Sequence, residues 1–496
     1  MRVVPQLDGY PRLVALAQTP AGKVAAAAAF GLLLLLNGQP LAVHIAAIAA
    51  ILSFVPEHRR AIISVATLAW LLSQQSWIPM ALIRKVAAIE HAETGFTLTL
   101  AVGFTLCVVF WAVGLLFRVV RNHPKNLLGR RPVFVLVFSF LCLLAAAGAL
   151  PLHGLARVVM WIVVAVISPY LWFFAYALED FTSKKPDPYP IQFGTFFPFW
   201  VGSRTSPTPI GKGAAFLRRV EVHTDKELAL IQLRALKLLI WVFFLNIALS
   251  VVRAVARGEL SPLASEFCRI HGFHLPNLAV PGLEAALNQT AAGVPVALPR
   301  RWLAVLVQFV EGILTITIAG NVVVACVRMS GFNILRNTYK PLYSATIAEF
   351  WNRFYFYFKE LLVEFFFFPA YIRYFKRHGR LRLAAATFAA ATLGNLIYHF
   401  CRDIEYVFDM GLWRALAGFQ VYAFYTVVLG AAIAVSQLRG KRPPLASLPF
   451  HRRVMSSAGV IGFYCLLGVF NYEGRSHSLH THLAFFWSLF PASISW

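Results

Sequence analysis

At 496 residues, the chain is 59% hydrophobic and 13% charged, against about 45–50% and about 25% in a soluble globular domain. With a mean hydropathy of +0.67, that balance excludes a soluble enzyme, a disordered chain and a nucleic-acid-binding chain of low hydrophobicity. Lys and Arg outnumber Asp and Glu 45 to 21, a net charge of +24, which in a membrane protein belongs in cytoplasmic loops facing anionic lipid.

A hydrocarbon core of about 30 Å takes about 20 apolar residues in a helix. In chain order, residues 24–36 and 41–55 are two short apolar runs separated by Asn37-Gly38-Gln39-Pro40. They predict either a tight helical hairpin or one broken span. Nine full-length spans follow, at 61–83, 95–117, 133–150, 156–178, 235–256, 302–327, 383–401, 412–436 and 455–470. A further short apolar stretch runs from Leu483 to Trp496. The expected fold is therefore all-α and polytopic, a single integral membrane domain over 1–496 with about 12 passes. The apolar run begins after a polar leader with no convincing A-x-A site, so no cleavable signal is expected.

Basic residues test this arrangement. Arg118, Arg121, Lys125, Arg130 and Arg131 form one cluster, Lys184, Lys185, Lys212, Arg218 and Arg219 a second, two spans on. A third group (Arg373, Lys376, Arg377, Arg380, Arg382) and a fourth (Arg439, Lys441, Arg442, Arg452, Arg453) follow at the same interval. All four fall on one side of the predicted alternation, which makes that side cytoplasmic, together with the N-terminus. The segment 258–301 then lies outside the membrane with Cys268, His271, His274 and an Asn288-Gln289-Thr290 sequon. The other five of the six cysteines lie in apolar runs without a CxxC pair and read as small packing residues. The expected location is a bacterial cytoplasmic membrane.

Chemistry is concentrated in 332–436, the expected catalytic core. Arg336-Asn337-Thr338-Tyr339-Lys340-Pro341 precedes Ile347-Ala348-Glu349-Phe350-Trp351-Asn352-Arg353-Phe354. An aromatic helix ends at Glu364-Phe365-Phe366-Phe367-Phe368-Pro369, and after a basic loop an apolar helix carries Asn395-Leu396-Ile397-Tyr398-His399. This order resembles the membrane-bound O-acyltransferase family. That family has an E-F-W-x-R element, an amphipathic helix ending in acid, aromatics and Pro, and a histidine on a later membrane helix. The resemblance covers about the last third of the chain. Phe354-Tyr355 stands where members often have Trp-His, and Tyr398-His399-Phe400 where they have Trp-His-Gly. The resemblance implies transfer of an acyl group from acyl-CoA or an acylated carrier to a hydroxyl, with His399 as general base and no bound cofactor. The acceptor would be an envelope glycan or lipid, and membrane lipid and an accessory envelope protein the remaining partners.

The residues support that chemistry on their own terms. A neutral imidazole has an ordinary pKa of about 6.5, suited to removing a proton from an alcohol near neutral pH. Asn395 lies one helical turn before His399, on the same face. The alternative for His399 is a structural bond to a neighbouring helix. Asn352 is the candidate for stabilising an oxyanion, and Trp351, Tyr355 and Asn395 for contacting substrate. Glu349 and Arg353 are expected to position their helix, and Glu364 to pair with Arg373 or another basic residue. Lys212 and Arg218, in the Pro- and Gly-rich loop 203–219, could hold the phosphates of coenzyme A, the alternative being a turn with positive-inside charge. Residues 189–200 are expected at the interface, His44 and His153 in packing or interfacial positions. His477, His480 and His482 do not have the spacing of a structural zinc site. The rival to an enzyme is a transporter, channel or scaffold on the same fold. It is weakened as a carrier by the lack of an internal repeat and the scarcity of intramembrane acids.

Overall fold

The computed structural model describes residues 4–39, 41–74, 78–92, 95–181, 213–260, 262–273, 276–440, 447, 449–471 and 477–490. Among them there are helices and no β-strand, the one β-bridge pairing Glu221 with Phe332. Among the described residues, eight helices are long and apolar enough to cross a membrane: Thr97–Asn122, Pro132–Ala149, Gly154–Asp180, Asp225–Arg257, Leu298–Met329, Gly379–Arg402, Gln420–Leu438 and Phe450–Phe470. The protein is thus an all-helical, multi-pass integral membrane protein.

The chain divides into two compact units. The first comprises Met1–Leu239, Val322–Leu335 and Ile397–Ala415, and the second Ile240–Asn321, Arg336–Leu396 and Leu416–Trp496. The segment 332–436 is therefore shared between them.

In the first unit the two short N-terminal runs form a hairpin of helices Pro20–Leu36 and Ala42–Phe54. The helices are close enough that a Cβ on Gly31 would lie 2.8 Å from that of Ala46. Within the leader, helix Pro11–Gln18 meets the hairpin at 102°. Thr19 makes the corner by accepting a hydrogen bond from the Gly22 amide at 3.1 Å, and Pro20 starts the new helix, where a missing N–H costs nothing. The span expected at 61–83 is not one helix. Helix Arg59–Gln74 ends in a polar run and a separate helix, Met80–Ile89, starts after Pro79. Helix Gly154–Asp180 tightens into a 3₁₀ turn at Ser168–Tyr170, around Pro169, and the Ser168 hydroxyl donates to the Cys401 carbonyl at 2.9 Å.

A buried charge cluster ties this unit together. Arg59 is 2% exposed and donates to the Val222 carbonyl at 3.0 Å, while Glu221 pairs with Arg59 at 3.4 Å and with Arg60 at 2.5 Å. Gly331 has φ +99°, and a Cβ there would stand 2.4 Å from the Arg59 guanidinium carbon. Only glycine meets both demands. Elsewhere in this unit, Glu90 accepts from the Gly154 amide and the Arg157 guanidinium, each at 2.6 Å. These two donors hold its carboxyl below the usual carboxylate range. His153, beside it, and His44 are both exposed.

In the second unit the segment expected as a loop at 258–301 contains helices Pro262–His271 and Leu283–Ala291. The side chain of Cys268 and residues 274–275 lie outside the described set, as do 182–212 with Lys184, Lys185, Lys212 and the interfacial stretch 189–200. The span expected at 412–436 is broken at Phe419, after Gly418, into helices Leu412–Gly418 and Gln420–Leu438. The C-terminal stretch gives helix Leu479–Trp487, whose nine residues are too few to cross a bilayer.

Candidate functional site

Helix Ile347–Phe354 opens with a capping box. The Glu349 amide donates to the Thr346 hydroxyl at 3.1 Å, and the Glu349 carboxylate accepts from the Ala345 amide at 2.7 Å. Glu349 also pairs with Arg353 at 2.6 Å, one turn on. Both residues therefore build the helix, as their spacing implies. The helix stops at Tyr355, whose ψ of 61° is not helical, and resumes as Phe356–Leu362. The upstream segment holds this joint. Tyr339 N–H donates to the Arg353 carbonyl at 2.7 Å, and the Thr338 hydroxyl to that of Phe354 at 2.8 Å. Fully buried Asn337 accepts from the amides of Phe356 and Tyr357. The Arg336–Pro341 motif is thus a backbone clamp on the aromatic helix.

Phe350 and Trp351 are buried by this arrangement, with the Phe350 ring stacked on Tyr464 at 3.9 Å. Trp351 and Tyr355 border a cavity of about 130 Å³ that also reaches Gln308, Gly312, Tyr425 and Asn471. Asn352 is exposed and is not among the described residues around that cavity. The oxyanion role expected of Asn352 would need a fixed, water-excluded setting for that amide.

Two π-helical segments follow. The first, Val363–Phe367, ends two residues before Pro369, whose ring leaves an earlier carbonyl without its ordinary α-helical donor. The second, Ala389–Gly394, leads directly into helix Asn395–Arg402. They pack on each other, and a Cβ on Gly394 would stand 2.6 Å from the Phe366 ring. The acid-aromatic-Pro element and the start of the histidine helix are therefore in contact. Asn395, 1% exposed, accepts from the Tyr422 hydroxyl at 3.0 Å, and the Thr392 hydroxyl donates to the Thr426 carbonyl at 2.9 Å. Glu364, half-buried in the first π segment, has no ion-pair partner among the described residues. The expected pair with Arg373 does not form, and Arg373 lies over the Tyr374 ring at 5.7 Å.

His399 is one turn beyond Asn395 on the same helix, half-buried, with its ring edge-on to Tyr398 at 5.4 Å. Tyr398 in turn stacks on Trp172 at 5.8 Å. The division between the two units falls within this helix, after Leu396, so Asn395 belongs to the second unit and His399 to the first. Arg218 sits in the short helix Gly213–Val220 of the first unit. Of the predicted set, the structure gathers Trp351 and Tyr355 around one cavity and fixes Asn395 through Tyr422.

The histidines at the other end have separate fates. His482 is buried and hydrogen-bonded through Nδ1 to the Val469 carbonyl at 2.8 Å, and burial lowers its pKa below the ordinary value. His480 is exposed, and Glu473 lies outside the described residues. No group of three or more metal-ligating side chains occurs among the described residues.

Sequence reasoning missed Glu311, 8% exposed on helix Leu298–Met329 and held by two 2.9 Å bonds to Arg257, with Arg253 at 3.6 Å. The signal was present as a carboxylate inside a predicted span. The chain matches no protein-family model, no curated protein and no solved structure.

Proposed function

We propose that the protein is a membrane O-acyltransferase of the membrane-bound O-acyltransferase family, with its N-terminus in the cytoplasm. The observation that supports this most is the contact of Phe366 with Gly394. It joins, in space, two sequence elements that the family resemblance links only by order along the chain, and it does so through two π-helical segments, a feature that recurs at functional sites.

In this reading a cytoplasmic thioester is the donor, acyl-CoA or an acylated carrier, its anionic end met by Lys212 and Arg218. The acceptor oxygen attacks the thioester carbonyl while His399 takes its proton. The C–O bond forms as the C–S bond breaks, and the imidazolium returns the proton to the departing thiolate. No covalent enzyme intermediate is needed. Cys401, the nearest cysteine in sequence, is buried with its carbonyl engaged by Ser168.

Inverted membrane vesicles supplied with radiolabelled acetyl-CoA or palmitoyl-CoA test the reading. Label should enter a glycan or lipid fraction, and His399→Ala should reduce the rate at least about 100-fold with unchanged melting in detergent. Full activity in that variant would remove the base. The rival, a transporter or scaffold, draws on the buried Glu311–Arg257 pair, because paired charges within membrane helices also mark transport paths. It gains if neither thioester is consumed.

A further inference from the structure

The cavity bordered by Trp351 combines three properties. Its wall is aromatic, with Phe350, Trp351, Phe354 and Tyr464 around it. No Asp, Glu, Lys, Arg or His is among the described lining residues. It nevertheless carries uncharged polar groups. The Gln308 and Asn471 amides border it, and Tyr425, 8% exposed, lines it with a hydroxyl that has no hydrogen-bond partner among the described residues.

The size is equally specific. About 130 Å³ is of the order of the roughly 150 Å³ cavity that accommodates one benzene ring, so one six-membered ring is within its size. An acyl chain would use the aromatic wall and leave both amides idle. A quaternary ammonium would suit the rings but has no donor for an amide oxygen. A pyranose ring fits both halves of the site: its C–H face is apolar and stacks on aromatic rings, and its hydroxyls both donate and accept, as do amides and tyrosine.

The setting agrees. Leu283, from the helix in segment 258–301, and Asn471, just past the end of helix Phe450–Phe470, both border the cavity. Under the positive-inside orientation these lie on the outer side. We infer that this cavity binds a single neutral sugar ring presented from the extracytoplasmic side. As the acceptor subsite it rests on the acyl-transfer reading, whereas as a binding site it stands alone.

Saturation-transfer NMR on the full chain in nanodiscs, with methyl β-glucopyranoside and N-acetylglucosamine as probes, tests it. Gly312 lines the cavity, and a Cβ built there meets nothing within 4 Å, so Gly312→Leu fills the space without a backbone clash. Gly312→Ala controls for the change in helix propensity. The wild type and Gly312→Ala should saturate the ring C–H protons of at least one sugar, and Gly312→Leu should lower that signal at least fivefold. Gln308→Ala and Asn471→Ala should weaken binding about tenfold, the loss of a hydrogen bond worth about 1.4 kcal/mol. The inference is overturned if neither sugar is saturated, if Gly312→Leu binds as wild type while melting normally, or if butyrate or choline alone gives the cavity-dependent signal. Sugar binding without acyl transfer would leave the site standing and remove the enzyme. Acyl transfer without sugar binding would do the reverse.

Discussion

The Phe366 ring occupies the place where a side chain at residue 394 would begin, 2.6 Å from an ideal Cβ. Gly394 is helical, so its role is to admit that ring and not to adopt an unusual backbone angle. Gly394→Ala should therefore destabilise the protein by about 1–3 kcal/mol through overpacking, read as a lower melting temperature in detergent. Gly394→Ala combined with Phe366→Leu should recover part of the loss. If the single variant melts as wild type, the two π segments are not in the contact described.

Glu221→Gln should be among the most damaging single changes in the first unit. It leaves Arg59, 2% exposed, as a buried charge without its carboxylate, at a cost of about 3–5 kcal/mol. Replacing Arg59 and Glu221 together with Met and Leu should cost less than Glu221→Gln alone. A double-mutant cycle on solubilised protein measures the difference.

The Glu90 carboxyl is held below the usual range first by the Gly154 amide and then by Arg157. A group whose folded pKa is depressed contributes stability that is present above its unfolded pKa and lost as the pH falls through the folded value. Wild-type melting temperature should thus fall more steeply on acidification through the carboxylate range than that of Glu90→Gln. The two proteins should converge at the acid end. Parallel curves would show that Glu90 is not linked to folding.

Orientation can be read with a thiol reagent that does not cross membranes. Leu278 and Arg377 are both exposed, and the proposed orientation predicts that they lie on opposite faces. In intact cells, in a background lacking the native cysteines, Leu278→Cys should be labelled and Arg377→Cys should be labelled only after the cells are opened. The opposite pattern inverts the topology and moves the proposed donor site to the wrong compartment.

Hydropathy alone located eight of the nine full-length spans, because a lipid-facing helix must be apolar over a length fixed by the bilayer. It failed at 61–83, where helix Arg59–Gln74 ends and another starts after Pro79, and at the start of 412–436, where the helix breaks at Phe419 after Gly418. The pairing of Glu349 with Arg353 was legible because it is short-range chemistry, one helical turn apart. The π segments were not: they depend on Pro369 and on a ring from one segment resting on a glycine of the other. The clamping role of the Arg336–Pro341 segment was not legible, since its partners are backbone amides and carbonyls that carry no sequence signature. The cavity drew residues from five separate stretches, 283, 305–316, 350–355, 425 and 464–471, and no spacing rule connects them.

The bond between Arg257 and Glu311 spans 54 residues of chain, and this separation has a consequence for synthesis. At about 5–20 residues per second, the guanidinium emerges roughly 3–10 s before the carboxylate that neutralises it. During that interval Arg257, and Arg253 one turn earlier, have only water, lipid headgroups or the nearby Glu259, 4.0 Å from Arg257 in the finished fold. The contact that joins these two helices through Arg257 and Glu311 therefore cannot form until residue 311 has been made.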